Sequence, residues 1–207
     1  MPIERINAYD DPRFSPDCLR QHGCYLVDGV PCEVRILSAD TAAITGCPQA
    51  SLPDVIDAFR FNAPHIARFV DAGGALLREF PPVEVFPVAL ADIQPSQFFV
   101  DEEKLAAVGS FIAAPEDVIV PVAAHPTEAG RFISLDGHTR LFLATQEGWR
   151  HVRAVMDTAD DVLLAFAAEA ARRGVHTPAD MTLLPHADYE EQWNRFCDSF
   201  IASLPEV

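Results

Sequence analysis

Five consecutive residues, Asp136-Gly137-His138-Thr139-Arg140, place four chemistry-capable side chains around one glycine. The apolar run Phe132-Ile133-Ser134-Leu135 ahead of them reads as a strand end, and Leu141 to Gly148 behind them as a short helix closed by glycine. A strand, a tight turn and a helix start expose the unpaired N–H groups of the first helical turn, where the helix dipole also favours negative charge. Arg140 adds a planar fork that matches phosphate or carboxylate. The expected roles follow. Asp136 is an N-cap accepting from the backbone N–H of His138 or Thr139, and Gly137 permits close backbone approach or positive φ. His138 and Thr139 sit at the first free N–H groups, with His138 either a satisfied structural histidine or a ligand-facing one. Arg140 is expected to touch the anion directly. If the turn catalyses, His138 and Asp136 are its candidate catalytic residues; if it binds, Gly137, His138, Thr139 and Arg140 form the candidate contact set.

The elements that must position this turn are legible around it. Val83 to Val88 and Val118-Ile119-Val120-Pro121-Val122 are strand-like apolar runs, and Asp101 to Ile112 reads as a helix with acids in its first turn. Asp101, Glu102 and Glu103 could hold Mg²⁺ or act as a base, but acids at a helix start are better explained by the dipole. Upstream, Cys24 to Val27 and Cys32 to Leu37 flank Asp28-Gly29, a hairpin signal, and Thr41 to Thr45 continues a small meander. Ser51-Leu52-Pro53-Asp54 starts a helix whose stripe Val55, Ile56, Phe59, Ile66, Phe69 and Val70 is expected to be kinked or split at Pro64 and to end at Gly73-Gly74. Residues 1–22 show no periodicity and read as irregular. Downstream, Thr158 to Asp161 opens a helix stopped by Gly174, residues 175–185 read as a turn-rich connector, and Tyr189, Trp193, Phe196, Cys197, Phe200 and Ile201 recur at helical spacing. That aromatic stripe fits core packing or a partner face, including that of a second copy in a homodimer.

Composition narrows the function classes. The 207 residues carry a net charge of −16, spread along the whole chain. A field of that sign repels polyphosphate backbones, so nonspecific DNA binding is not expected. No run approaches the ~18 apolar residues of a membrane span, and the N-terminus lacks a secretory pattern, so the expectation is a cytoplasmic protein without membrane partners. The five cysteines (Cys18, Cys24, Cys32, Cys47 and Cys197) have irregular spacing and no Cys-x-x-Cys, which reads as reduced thiols. A zinc set of Cys18, His22, Cys24 and Cys32 matches no ribbon or finger spacing, so no metal site is assigned.

The ordered set of elements over about residues 83–157 resembles the ParB/sulfiredoxin superfamily. Val83 to Val88 resembles its first strand, and Asp92-Ile93-Gln94-Pro95-Ser96-Gln97 its Ile-x-Pro-x-Gln turn. Asp101 to Ile112 resembles the helix that follows, Val118 to Val122 the Pro-containing strand, and Ser134 to Ala144 the signature Gly-x-x-Arg turn. The resemblance implies an α+β fold, with 82–157 as the family core, 1–81 as a β-meander plus helix ahead of it and 158–207 as a helical extension. It also implies that Gln97 is brought towards a phosphate site. In sulfiredoxins the turn reads Gly-Cys-His-Arg, and its cysteine attacks a phosphorylated sulfinic acid. Aligned on Gly137 and Arg140, this chain has His138 in the cysteine's place and Thr139 in the histidine's, so the nucleophile of that reaction is missing. In chromosome-partitioning ParB proteins the turn reads Gly-Glu-Arg-Arg and contributes to a nucleotide site. Here the acidic and first basic residues are replaced, and no basic helix-turn-helix module follows. Archaeal free-serine kinases share the fold and handle a nucleotide. Together these readings imply binding of a phosphate-bearing small molecule, a nucleotide with Mg²⁺ among the candidates, at 136–140. Phosphoryl transfer or nucleotide hydrolysis is the catalytic extension. The alternative is a non-catalytic regulatory or interaction protein on the same fold.

Overall fold

The computed structural model describes residues 2–8 and 10–204. The chain divides into two compact units, 1–84 and 85–207. In the first, strands β1 (Ile3–Arg5), β2 (Cys24–Val27), β3 (Val30–Ile36), β4 (Thr41–Thr45), β5 (Arg68–Val70) and β6 (Leu76–Glu79) form one sheet in that order. All neighbours are antiparallel except the parallel β4–β5 pair. Asp28 and Gly29 both have positive φ, 50° and 81°, the mirror-image turn whose twist suits a hairpin. Tyr25, Val27, Cys32 and Val34 pack with Val55, Ile56 and Phe59 of helix α2 (Leu52–Arg60). Cys24 and Leu26 point the other way, into a small cluster with Phe14, Cys18 and Leu19.

Two expectations for this unit are corrected. Residues 1–22 are not irregular throughout: they hold β1 and a five-residue helix, α1 (Pro16–Arg20), started by the Ser15 side chain. Pieces this short complete too few repeats to show a period. The apolar stripe from Val55 to Val70 is not one kinked helix. It stops at Arg60, before Pro64, and the Asp40 carbonyl then takes the N–H groups of Ala67 and Arg68 at 2.8 and 2.9 Å, drawing the segment into strand β5 beside β4. All five cysteines are free, with Cys18, Cys24 and Cys32 buried.

The second unit is α+β. Its main sheet has the order β7 (Val85–Ala89), β12 (His151–Met156), β10 (Ile119–Ala124), β11 (Phe132–Ser134) and β8 (Ile93–Pro95). The β10–β12 and β8–β11 pairs are parallel, and β7–β12 and β10–β11 are antiparallel. The central strand β10 is buried from Ile119 through Ala123, as a strand covered on both faces must be. Helices α3 (Glu102–Gly109) and α4 (His138–Gln146) contribute Val108, Leu141, Phe142 and Ala144 to one core with Val120, Val122, Val152 and Ala154. Helix α5 (Asp161–Arg172) is capped by Asp160, whose carboxylate accepts from the Leu163 N–H at 2.7 Å. Its Ala170, and Val175 and Met181 beyond it, enter the same core.

The segment read as a connector contains a further strand, β13 (Thr182–Leu184), paired in parallel with β9 (Phe99–Asp101). The C-terminal arm then runs through α6 (His186–Tyr189), a π-helical turn (Glu190–Asn194) and α7 (Arg195–Ser203). Trp193 stacks on Phe196 and Phe196 on Phe200, at centroid distances of 5.8 and 5.1 Å. Phe98 meets Trp193 and Phe196 edge-on at 4.8 and 4.9 Å, and Arg173 lies 4.3 Å over the Phe98 ring. The arm is thus tied by aromatic contacts to the same core as β8 and α5. No helix among the described residues is long and apolar enough to cross a membrane.

Leu141 is fully buried where α4 meets β10. Leu141→Ala should lower stability by about 2–5 kcal/mol, read from urea unfolding, because the surrounding sheet cannot collapse into the space.

Candidate functional site

The turn from β11 into α4 is built on Gly137. Its φ of 80° is left-handed, and it serves as the N-cap of α4, with its carbonyl taking the Leu141 N–H at 2.9 Å. A Cβ here would lie 2.7 Å from Val120 Cγ1 and 2.8 Å from Arg140 Nη2. Glycine is therefore required twice, for its φ and for the close approach to β10. This corrects the expected role of Asp136. The left-handed residue moves the cap position to 137 and leaves Asp136 one residue outside the helix, beside the Arg140 guanidinium.

Arg140 is held by the chain itself. Its Nη1 donates to the Ile119 carbonyl at 2.6 Å and its Nη2 to Asp136 Oδ2 at 3.3 Å. The fork closes on the chain's own acceptors. The physical reason is position: α4 begins against β10, so the Ile119 carbonyl and a carboxylate four residues back are the nearest acceptors. The Asp136–Arg140 pair is partly exposed, so its contribution lies in the range of about 0–1 kcal/mol. The bond to the carbonyl fixes the side chain.

His138 is 8% exposed. Its Nε2 receives the backbone N–H of Ser96 at 3.3 Å and lies 3.1 Å from Ser96 Oγ. That hydroxyl donates to the Ser134 carbonyl at 2.9 Å. A backbone N–H can only donate, so Nε2 is an acceptor and the ring proton belongs on Nδ1. Burial pushes the imidazolium pKa down to about 4; Asp136 and the Ser134 backbone oppose that shift, and Arg140 adds to it. The ring is neutral at physiological pH. A hydroxyl beside an imidazole has the outline of an activated nucleophile. Here Ser96 is 4% exposed, its proton is engaged by a carbonyl, and the imidazole is too acidic to be an effective base near pH 7. The pair is a brace that fastens the turn after β8 to the start of α4.

Ser96, Gln97, Leu135, Asp136 and His138, together with the apolar wall of Leu163, Phe166 and Trp193, line a cleft of about 210 Å³. Three of the sequence-predicted residues, Gln97, Asp136 and His138, are therefore brought together. Gly137, Thr139 and Arg140 lie outside the lining. The Gln97 amide donates to the Phe99 carbonyl and to Tyr189 Oη, 3.3 Å away, which leaves Oε1 as the atom to accept from a bound molecule. Both carboxylate oxygens of Asp101 are engaged: Oδ1 caps α3 at the Glu103 N–H, 2.9 Å, and Oδ2 pairs with His186 Nδ1 at 2.8 Å. Glu102 and Glu103 sit in the first turn of that helix, outside the cleft. The residues missed from sequence are Ser96 and the apolar wall. Phe166 and Trp193 do stand out as periodic positions, but a period places a residue on a buried face without telling core from cleft.

Two outcomes test this geometry. Gly137→Ala should destabilise the protein by about 2–5 kcal/mol in urea unfolding, combining left-handed strain with overpacking against Val120. His138, with its folded pKa below the unfolded value near 6.5, binds fewer protons folded than unfolded between those limits. Its contribution is complete above pH 6.5 and is lost as pH falls towards 4, by about 3 kcal/mol. His138→Gln should show a shallower loss of stability over that window than the wild type.

No protein-family model matches the chain, and no curated protein matches it significantly. Among solved structures it is similar to protein Atu1540 from Agrobacterium tumefaciens, at 16% identity over 48% of this chain and 61% of that one, with a TM-score of 0.33. It is also similar to the C-terminally truncated chromosome-partitioning protein ParB from Caulobacter crescentus complexed with CTP-gamma-S, at 20% identity over 44% of this chain and 53% of that one, again with a TM-score of 0.33. Both likenesses are distant and partial.

Proposed function

We propose that the second unit binds a small planar heterocycle of nucleobase or nucleoside size in this cleft, and that binding, not bond-breaking, is its task. The observation that carries the reading is the pairing of an aromatic wall, Phe166 and Trp193, with a hydrogen-bonding wall, Ser96, Gln97, Asp136 and His138. A planar ring can stack on the first and present its edge to the second. The volume, about 210 Å³, is below the ~300–1,000 Å³ of drug-sized sites and limits the occupant to that size. Asp136 is the charged group of the lining and His138 is neutral, so the cleft favours neutral or cationic edges over phosphate. A single carboxylate already paired with Arg140 is a poor seat for Mg²⁺.

One observation keeps a phosphate-bearing ligand as the second reading. The Asp136–Arg140 contact is long and partly exposed, so an incoming phosphate could displace the carboxylate while Nη1 stays on Ile119. Nucleotide hydrolysis or phosphoryl transfer would further require a base, and no group in the lining has the basicity and freedom for it.

Calorimetry at pH 7 with adenosine, guanosine, cytidine and uridine, and with their triphosphates with and without Mg²⁺, separates the readings. At least one nucleoside should bind as tightly as its triphosphate. Trp193→Ala should weaken that binding by about 5- to 100-fold, the value of one base–aromatic stack, and Arg140→Ala should change it little. Triphosphates binding far more tightly, with the gain lost in Arg140→Ala, would establish the second reading. No binding by any of these compounds overturns the first.

A further inference from the structure

The arm that supplies Trp193 is fastened at its first residue by a charge pair with one buried and one accessible partner. Asp101 is 1% exposed, yet its Oδ2 lies 2.8 Å from Nδ1 of His186, a side chain 40% exposed. Among the described residues, the titratable groups paired with this imidazole are all acidic. Glu103 of α3 lies 4.0 Å from Nδ1, and Glu190 of the π turn 3.7 Å from Nε2. The nearest cation on these elements, Lys104, sits 5.0 Å over the Tyr189 ring. One turn further along, Tyr189 Oη meets Gln97 Nε2 at 3.3 Å, and one turn beyond that Trp193 forms the cleft wall. His186, Tyr189 and Trp193 recur at spacings of three and four, so they follow one face of the arm from the charge pair to the cleft.

We infer that the Asp101–His186 pair is a proton-operated latch that sets how firmly the C-terminal arm holds Trp193 against the cleft. With His186 charged, the buried Asp101 carboxylate has a full counter-charge and the arm is fixed at its root. With His186 neutral, the imidazole can still donate from Nδ1, but Asp101 is left as a buried anion with only neutral donors. The acidic surroundings hold the His186 pKa above its ordinary value, through the Asp101 hydrogen bond first and the charges of Asp101, Glu103 and Glu190 after it. The sign follows from that direction. The latch is closed below the ordinary histidine range and loosens as pH rises through the raised pKa. Control of ligand affinity by the latch rests on the binding reading above; the motion of Trp193 does not.

The test uses full-length protein labelled with 5-fluorotryptophan, which reports Trp149 and Trp193 separately by ¹⁹F NMR once Trp193→Phe has identified the signals. Between pH 5.5 and 9 the Trp193 resonance should move in one step with its midpoint above 6.5, the ordinary histidine value, while Trp149 stays still. His138, with a pKa near 4, is silent in this range. His186→Gln should abolish the step. Asp101→Asn, which retains the helix cap, should shift it to lower pH, and this second variant decides the matter if the first fails to fold. A flat Trp193 signal in the wild type, or a step that survives His186→Gln, overturns the latch. Adenosine measured by calorimetry should bind about fivefold more weakly at pH 8.5 than at pH 6, the size of exchanging a charge-assisted hydrogen bond for a neutral one. Affinity independent of pH beside an intact ¹⁹F step would overturn control of the site. Failure of adenosine, guanosine, cytidine and uridine all to bind at any pH would remove the binding reading and leave the ¹⁹F step to judge the latch.

Discussion

The absence of a Cβ at residue 137 is the constraint on which the second unit's site depends. The chain leaves β11, reverses in a left-handed residue and starts α4 so close to β10 that a Cβ on Gly137 would lie 2.7 Å from Val120 Cγ1. That approach seats Leu141 and Ala144 in the core, and it places Arg140 on the Ile119 carbonyl at the start of β10. It also sets His138 at the first helical position, where its ring reaches Ser96 after β8. Three strands of the sheet, β10, β11 and β8, are thus joined through one turn. The parallel β8–β11 register, Ile93 opposite Phe132 and Pro95 opposite Ser134, brings Ser96 to the place where the imidazole ends.

The same geometry decides the electrostatics. A turn whose composition suggests an anion site has its guanidinium folded back onto a carbonyl and a carboxylate, and its histidine neutralised by burial. What lines the cleft is a carboxylate paired with Arg140, an amide and an imidazole braced by its neighbours. Residue types state which groups are available. The direction in which each one points follows from a single backbone torsion that residue identity only hints at.

Much of the architecture was legible, and the gaps have identifiable causes. The Asp28-Gly29 hairpin, the strand–Gly–helix passage at 132–148 and the Asp160-started helix all appear where turn chemistry and periodicity place them. β1 and α1 were invisible because three and five residues carry no period. Ile66, Phe69 and Val70 continue the period of α2 by coincidence, and Pro64 together with the Asp40 carbonyl sends Phe69 and Val70 into strand β5. At the cleft, Asp136 and His138 belong to a polar cluster visible in the sequence, whereas Gln97 is placed there by the resemblance of its turn. Phe166 and Trp193 were not assigned to it, because an aromatic residue on a helical stripe looks the same whether it faces a core or a cavity. The cap was misplaced by one residue because Asp-Gly allows either residue to occupy that position.

The C-terminal arm shows how a packing element can become part of a site. Phe196 and Phe200 are stacked along the arm and anchored by Phe98 and Phe166, with Arg173 over two of the rings. Trp193 belongs to the same stack through Phe98 and Phe196, yet one side of it lines the cleft. It lies on a π-helical turn, a feature that recurs at functional sites in otherwise regular helices. An aromatic residue held at one edge by its own stack and open at the other can accept a further ring without reorganising the core, so stacking on it forfeits little packing. The position of that ring is then governed by the two polar ties that precede it in the arm, Tyr189 to Gln97 and His186 to Asp101. One of these ends on a lining residue and the other on a buried carboxylate, which links the cleft's aromatic wall to its polar wall through the root of the arm.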